Sequence, residues 1–292
     1  MQSSLLTVEF RIPGSVRNNN AGFLGNVVSG GQLCIKLRPM ILQLLRNATQ
    51  WLTINNKQIL IDPMLAPRGA YPAVAGTGNE IRNPTVDLPI DAEALDTLLS
   101  QVDAVLLTHL HRDHWDLVAQ ERLPKDMLIL CQPADADKLK ETGFTNITVI
   151  EESLNWEGIS ISRTGGQHGT GEIGIRMGIV SGYVLEHGGH RLYIAGDTIW
   201  CDEVKLALDR YQPHVIVVNG GAARFETGDP IVMDIKDILE VCRYAPDARV
   251  YVVHLEAVNH SREDRNEVRA ALRNAGLEGQ CFVPDNGEFF LR

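Results

Sequence analysis

Short apolar runs separated by turn residues organise most of the chain. Trp51-Leu-Thr-Ile54 and Lys57-Gln-Ile-Leu-Ile61 flank the pair Asn55-Asn56. Paired Asn residues accept the left-handed angles of a tight turn, so this pattern predicts a β-hairpin. Asp62-Pro63 stops it, because proline cannot continue a ladder. Residues 102–107, apolar apart from Asp103, predict a short strand that ends at Thr108-His109. Further strands are expected at 127–131, 147–150, 159–163, 178–185, 191–195, 214–218 and 249–253. Helical spacing appears at 91–99, 134–142, 203–211, 231–244 and 262–275. In 231–244, Ile231, Ile235, Ile238, Leu239 and Cys242 share one face; in 262–275, Val268, Ala271, Leu272 and Ala275 do. Early strands are joined by turns and later ones alternate with helices. That order predicts an α/β fold in which sheet packs on sheet and helices cover both outer faces. A single domain over 1–292 is expected, with a loop at 11–31 and a Pro- and Gly-rich loop at 64–90. Loops of that second length inside a domain are often functional, so 64–90 is a candidate substrate lid.

Composition narrows the function classes. The net charge of −10 opposes binding to phosphate backbones or anionic membranes. It leaves an anionic small molecule open, because bound cations supply local positive charge. The five cysteines are scattered without a Cys-x-x-Cys pair, which fits reduced thiols better than a disulfide framework. No secretory signal and no long apolar span are evident, so a cytoplasmic location is expected, without membrane insertion and without nucleic acid as partner. A small-molecule substrate is the expected partner, and a homo-oligomer is left open.

The chemistry concentrates in Thr108-His109-Leu110-His111-Arg112-Asp113-His114-Trp115-Asp116. Imidazole and carboxylate suit Zn²⁺, Mn²⁺ or Fe. Side chains two apart in an extended stretch point the same way, so His109 and His111 can share one ion. A following turn would aim Asp113 and His114 at a second. Further candidates are His168 in Gly165-Gly-Gln-His168-Gly-Thr-Gly171, Asp197 in Tyr193-Ile-Ala-Gly-Asp197-Thr198, and His254 after Val250-Tyr-Val-Val253. His260 is a rival to His254 for the last ligand position, or else a proton donor or substrate contact. Asn219, before Gly220-Gly221, is a candidate oxyanion donor or a plain turn residue. Trp200 and Trp115 are candidates for an apolar substrate pocket or for core packing.

The order His-x-His-x-Asp-His, then His168, Asp197 and His254, resembles the metallo-β-lactamase superfamily from about residue 47 onward. Within it the chain looks nearest to the L-ascorbate-6-phosphate lactonase-like branch, on Ile59-Leu-Ile-Asp-Pro63 and Gly196-Asp-Thr-Ile-Trp200. The resemblance implies a four-layer αββα sandwich with the site at one edge. It implies two divalent metal ions, zinc first and manganese or iron as alternatives. His109, His111 and His168 would hold one; Asp113, His114 and His254 the other, with Asp197 bridging. Asp62 would support the metal loop without being a ligand. The implied activity is hydrolysis by a hydroxide held between the ions, with Asp113 and His260 as catalytic groups. A lactone-type cyclic ester is the expected substrate. A phosphodiester of a nucleotide or lipid head group is the alternative, and a metal-containing sensor with little turnover is the alternative from outside enzymology.

Overall fold

The computed structural model describes residues 40–291, so the loop expected at 11–31 lies outside the described residues. The first strand, β1 (Ile41–Arg46), pairs antiparallel with β2 (Thr49–Ile54), which turns through Asn55-Asn56 into β3 (Lys57–Ile61). Both Asn residues take the left-handed conformation, φ 47° and 61°, as the hairpin pattern requires. From β3 the sheet continues with parallel partners: β4 (Ala104–Leu106), β5 (Ile129–Cys131) and β6 (Ile147–Val149). The second sheet contains β7 (Ser153–Trp156), β8 (Ile159–Thr164), β9 (Gly182–His187), β10 (His190–Ile194), β11 (Val215–Asn219), β12 (Arg249–Val253) and β13 (Cys281–Phe282) in spatial sequence order. The last strand, β14 (Phe289–Leu291), crosses back to pair with β1.

Burial explains the layering. Leu42, Leu52, Ile59, Ile61 and Leu106 of the first sheet meet Ile161, Leu185, Ile194, Val217 and Val253 of the second in one inner core. Alternate residues, such as Leu60, Val105 and Ile129, face outward under α1 (Ala92–Leu99), α2 (Leu117–Arg122) and α3 (Ala136–Glu141). On the other side Ile216, Val218, Val250 and Val252 lie under α5 (Asp202–Tyr211), α6 (Ile235–Tyr244) and α7 (Arg265–Asn274), while α4 (Gly171–Met177) follows the His168 loop. Strands buried on both faces read as continuous apolar runs, which is why these were legible. The arrangement is the αββα sandwich expected. Among the described residues no helix is long and apolar enough to cross a membrane.

Several boundaries differ from the pattern-based expectation. The helix expected from 231 starts at Ile235, because Asp234 caps it by accepting from Asp237 N–H. Ile231 and Val232 pack instead with Ala223. The helix expected from 262 starts at Arg265, behind a capping box formed by Asp264 and Glu267. The strand expected from 178 starts at Gly182, since 171–177 is helical. Helices α2 and α4 and strands β1, β7, β13 and β14 carry too few residues, or too mixed a pattern, to have been expected. Trp115 lies in the outer core against Phe144, with ring centroids 5.3 Å apart.

The 64–90 segment is tied to β1 at both ends. Arg46, fully buried at the end of β1, donates to the carbonyls of Met64, Ala66 and Val86, pinning both ends of the loop.

Candidate metal centre

Loops at the C-terminal ends of β3, β4, β8, β10 and β12 meet at one edge of the sandwich, the place where open parallel segments leave a crevice. Asp62 follows β3 with φ 44°. Its carboxylate accepts from Thr108 N–H at 2.8 Å, Thr108 Oγ1 at 2.7 Å and His114 Nδ1 at 2.9 Å. That clamp fixes the start of the His-rich loop and turns His114 Nε2 inward. Gly196, with φ 70°, precedes Asp197; a Cβ there would meet Ser181 O at 2.8 Å, so the tight turn that delivers the carboxylate needs glycine. Gly169 does the same beside His168, where a Cβ would meet Ile231 Cγ2 at 2.9 Å. His168 Nδ1–H donates to Ile231 O at 2.7 Å, leaving Nε2 facing the cluster.

Two donor sets result. His109, His111 and His168 form one; Asp113, His114, Asp197 and His254 form the other, with the ligand-type atoms of each set within 4.8 Å of one another. Asp197 Oδ2 reaches both, lying 3.2 Å from His114 Nε2, 3.6 Å from His168 Nε2 and 3.9 Å from His109 Nε2. Asp113 Oδ2 lies 3.1 Å from His254 Nε2. Thus residues spread across 109–254 of the chain converge, and at the end of β12 it is His254, not His260, whose ring nitrogen lies among these donor atoms.

The donor chemistry fits divalent cations. Nε2 of His109 and of His114 is buried and, among the described residues, makes no hydrogen bond, although a carboxylate oxygen is near. Buried nitrogens without partners cost free energy unless something else fills the shared space they face. Burial, with His114 and His111 close by, pulls the His109 imidazole well below its ordinary pKa, and burial takes His168 down to about 4. Both are therefore neutral, as ligation requires. Burial opposes ionisation of Asp113 and Asp197, but His114 and His254 outweigh it and hold both carboxylates well below their usual range; the carboxylates in turn raise His114 and His254 despite burial, so these two imidazoles carry positive charge that a bound cation would replace.

Other candidates fall differently. Asn219, the candidate oxyanion donor, lies against the cluster: its Nδ2 donates to Asp197 Oδ1 at 2.7 Å and orients that carboxylate. Trp200 is not at the cluster: its ring packs against Tyr244, 5.3 Å away, in the outer layer of α5 and α6, because Asp237 holds its backbone N–H at the start of α6. His260 is buried beside Asp113 and His254, and its Nδ1 has no partner among the described residues. Sequence reasoning missed Asn47. It is buried with φ 57°, its Nδ2 donates to Asp113 O at 3.1 Å and its carbonyl accepts from His254 N–H at 3.0 Å. An Asn in a tight turn before an apolar strand was the available signal.

The beta-lactamase superfamily domain profile matches residues 57–255. UPF0173 protein YddR of Bacillus subtilis (strain 168) is 41% identical over 251 residues, covering 84% of this chain and 97% of that protein. The chain belongs to the UPF0173 metal-dependent hydrolase family of the metallo-β-lactamase superfamily. Among solved structures, a possible metal-dependent hydrolase from Veillonella parvula DSM 2008 superposes with TM-score 0.83 at 38% identity, over 87% of this chain and 100% of that one. An isothiocyanate hydrolase from Delia radicum gut bacteria superposes with TM-score 0.81 at 38% identity, with the same coverage. The family resemblance expected from the motifs is thus at superfamily level; these relatives do not carry it to the lactonase-like branch.

Proposed function

We propose that this UPF0173 member hydrolyses a small molecule at an electrophilic carbon, using two divalent cations. His109, His111 and His168 would hold one, Asp113, His114 and His254 the other, and Asp197 would bridge them. The observation that carries this reading is Asp197 Oδ2 standing within 4 Å of imidazole nitrogens from both sets. Such cations, zinc first and manganese or iron by the same donors, supply hydroxide near neutral pH and polarise the attacked group, since a cation lowers the pKa of water from 15.7 to about 7. Asp113, with one carboxylate oxygen turned to His254 and a side chain partly exposed, orients the attacking water. Burial holds the His260 imidazole below its ordinary pKa, so it is neutral and free to carry a proton from that water to the leaving group.

An isothiocyanate is the first substrate to test, because the isothiocyanate hydrolase relative matches over its whole length. The half-buried Phe225, whose ring centroid is 6.5 Å from that of His260, offers an apolar wall for the organic substituent. In R–N=C=S the water oxygen bonds to carbon, and a proton goes to nitrogen. The resulting thiocarbamic acid breaks its C–N bond to give R–NH₂ and O=C=S. A lactone takes the same attack at a carbonyl carbon, and a phosphodiester would take it at phosphorus.

Purified protein assayed with benzyl isothiocyanate, a γ-lactone and a bis-aryl phosphodiester separates these readings. His254→Ala is expected to lose bound metal, measured by elemental analysis, together with turnover. His260→Ala is expected to keep the metal and lose turnover by about 10²-fold or more. Unchanged turnover after the metal is stripped would end the hydrolase reading; full metal with no turnover of any substrate would favour a sensor.

A further inference from the structure

Asn259 stands one residue before His260 and is nearly buried, at 6% exposure. An amide side chain offers two donor hydrogens and two acceptor sites, and here all are used within one loop. Oδ1 accepts from Val74 N–H at 3.0 Å and from Asn83 Nδ2 at 2.8 Å. Nδ2 donates to Thr77 Oγ1 at 2.6 Å and to Asn79 Oδ1 at 3.2 Å. Its backbone N–H donates to Asn83 Oδ1 at 2.7 Å, and its carbonyl accepts from Asn79 Nδ2 at 2.9 Å. Thr85 N–H adds a bond to Ala257 O at 2.9 Å.

The far end of this network reaches the first motif. Asn83 pairs with Tyr71 through two backbone hydrogen bonds, of 2.7 and 2.9 Å. The Tyr71 ring lies 5.0 Å from the guanidinium of Arg112, the residue between His111 and Asp113. One loop therefore spans from the His254–His260 segment to the His111–Asp113 segment, and Asn259 is its densest attachment.

We propose that Asn259 is a positioning residue: it fastens residues 71–85 to the 254–260 segment as one rigid wall of the site and holds His260 beside Asp113 and His254. The 64–90 loop is then a preformed wall, not a lid that closes on substrate. Its catalytic consequence rests on the hydrolase reading above; the fastening itself does not.

The test uses the full metal-loaded chain with Asn259→Ala, and Thr77→Val as a milder variant that removes one of the six Asn259 bonds. Amide hydrogen exchange at 71–83 should accelerate by about tenfold or more in Asn259→Ala and by less in Thr77→Val, with β2, β10 and β11 unchanged. Carbethoxylation of His260 by diethyl pyrocarbonate, followed by mass spectrometry, should accelerate in step, while bound metal stays at the wild-type level. With benzyl isothiocyanate, kcat should fall by about fivefold or more as His260 loses its position, with a smaller change in KM. Unchanged exchange at 71–83 in both variants overturns the proposal, as does acceleration throughout the sheets, which would make Asn259 a general stability residue. Faster exchange with unchanged His260 reactivity also overturns it. Wild-type protein inert to the isothiocyanate sinks the substrate reading alone, and exchange and His260 labelling still decide the fastening.

Discussion

Replacing Arg46 by Met tests whether a single buried cation organises the loop beside the site. The guanidinium is fully buried and donates to Met64 O at 2.7 Å, Ala66 O at 2.9 Å and Val86 O at 3.0 Å. Hydrogen bonds from a charged donor contribute about 1.5–3 kcal/mol each, so the gross loss is about 4.5–9 kcal/mol. Against this stands the cost of burying the charge, which draws the Arg46 pKa down to about 10 despite Asp116 and Asp87 nearby. Met fills most of the volume and removes the charge, but leaves three carbonyls without donors. A net destabilisation of about 3–4 kcal/mol is expected, in the range seen when a buried polar network loses one member. At about 2–4 °C per kcal/mol for a domain of this size, the midpoint of thermal unfolding should fall by about 6–16 °C. The assay is urea and thermal unfolding of metal-free protein, because bound metal would raise stability by mass action and mask the difference. Arg46→Lys should recover only part of the loss, since an ammonium lacks the planar fork that reaches three carbonyls. A loss below about 0.5 kcal/mol in Arg46→Met, or a Lys variant equal to wild type, would refute the reasoning.

Two further outcomes are expected. Asp62→Asn keeps an oxygen for Thr108 but weakens the hold on His114 Nδ1, so zinc affinity measured by chelator competition should fall by about 10–100-fold while the fold persists; equal affinity would remove Asp62 from the support of the centre. Burial, with Asp234 close by, raises the Glu263 carboxyl to about 7, while it would titrate near 4.5 in the unfolded chain. The native state thus binds the extra proton between those values, and this group's contribution falls as pH rises through them. Glu263→Gln, which keeps an acceptor for Ile235 N–H, should therefore be more stable than wild type by about 1 kcal/mol at pH 8, after allowance for solvent screening of a half-exposed group, with most of the gain gone at pH 5. A difference independent of pH would contradict that account.

Local pattern and chemistry made much of this protein legible before any coordinates. Strands such as 104–106 and the buried 250–253 are apolar because both faces are covered, and a continuous apolar run is visible without knowing its neighbours. The Asn55-Asn56 turn and the spacing of His109, His111, Asp113 and His114 are likewise short-range properties. What the chain order could not show is which distant groups become neighbours. Whether His254 or His260 joins the cluster depends on a left-handed residue at the end of β12, with φ 65° at His254. Asn47 looked like an ordinary turn residue and Asn219 like a candidate oxyanion donor, until Asp113, His254 and Asp197 were placed against them. Trp200 sits three residues from Asp197 in sequence, yet helix packing turns its ring toward Tyr244. The loop at 64–90 has no periodicity to read, because its order comes from Arg46 and Asn259, far away along the chain. Hydrogen bonds between groups distant in sequence are set only when the core closes and brings their backbones together, and tertiary structure alone decides them.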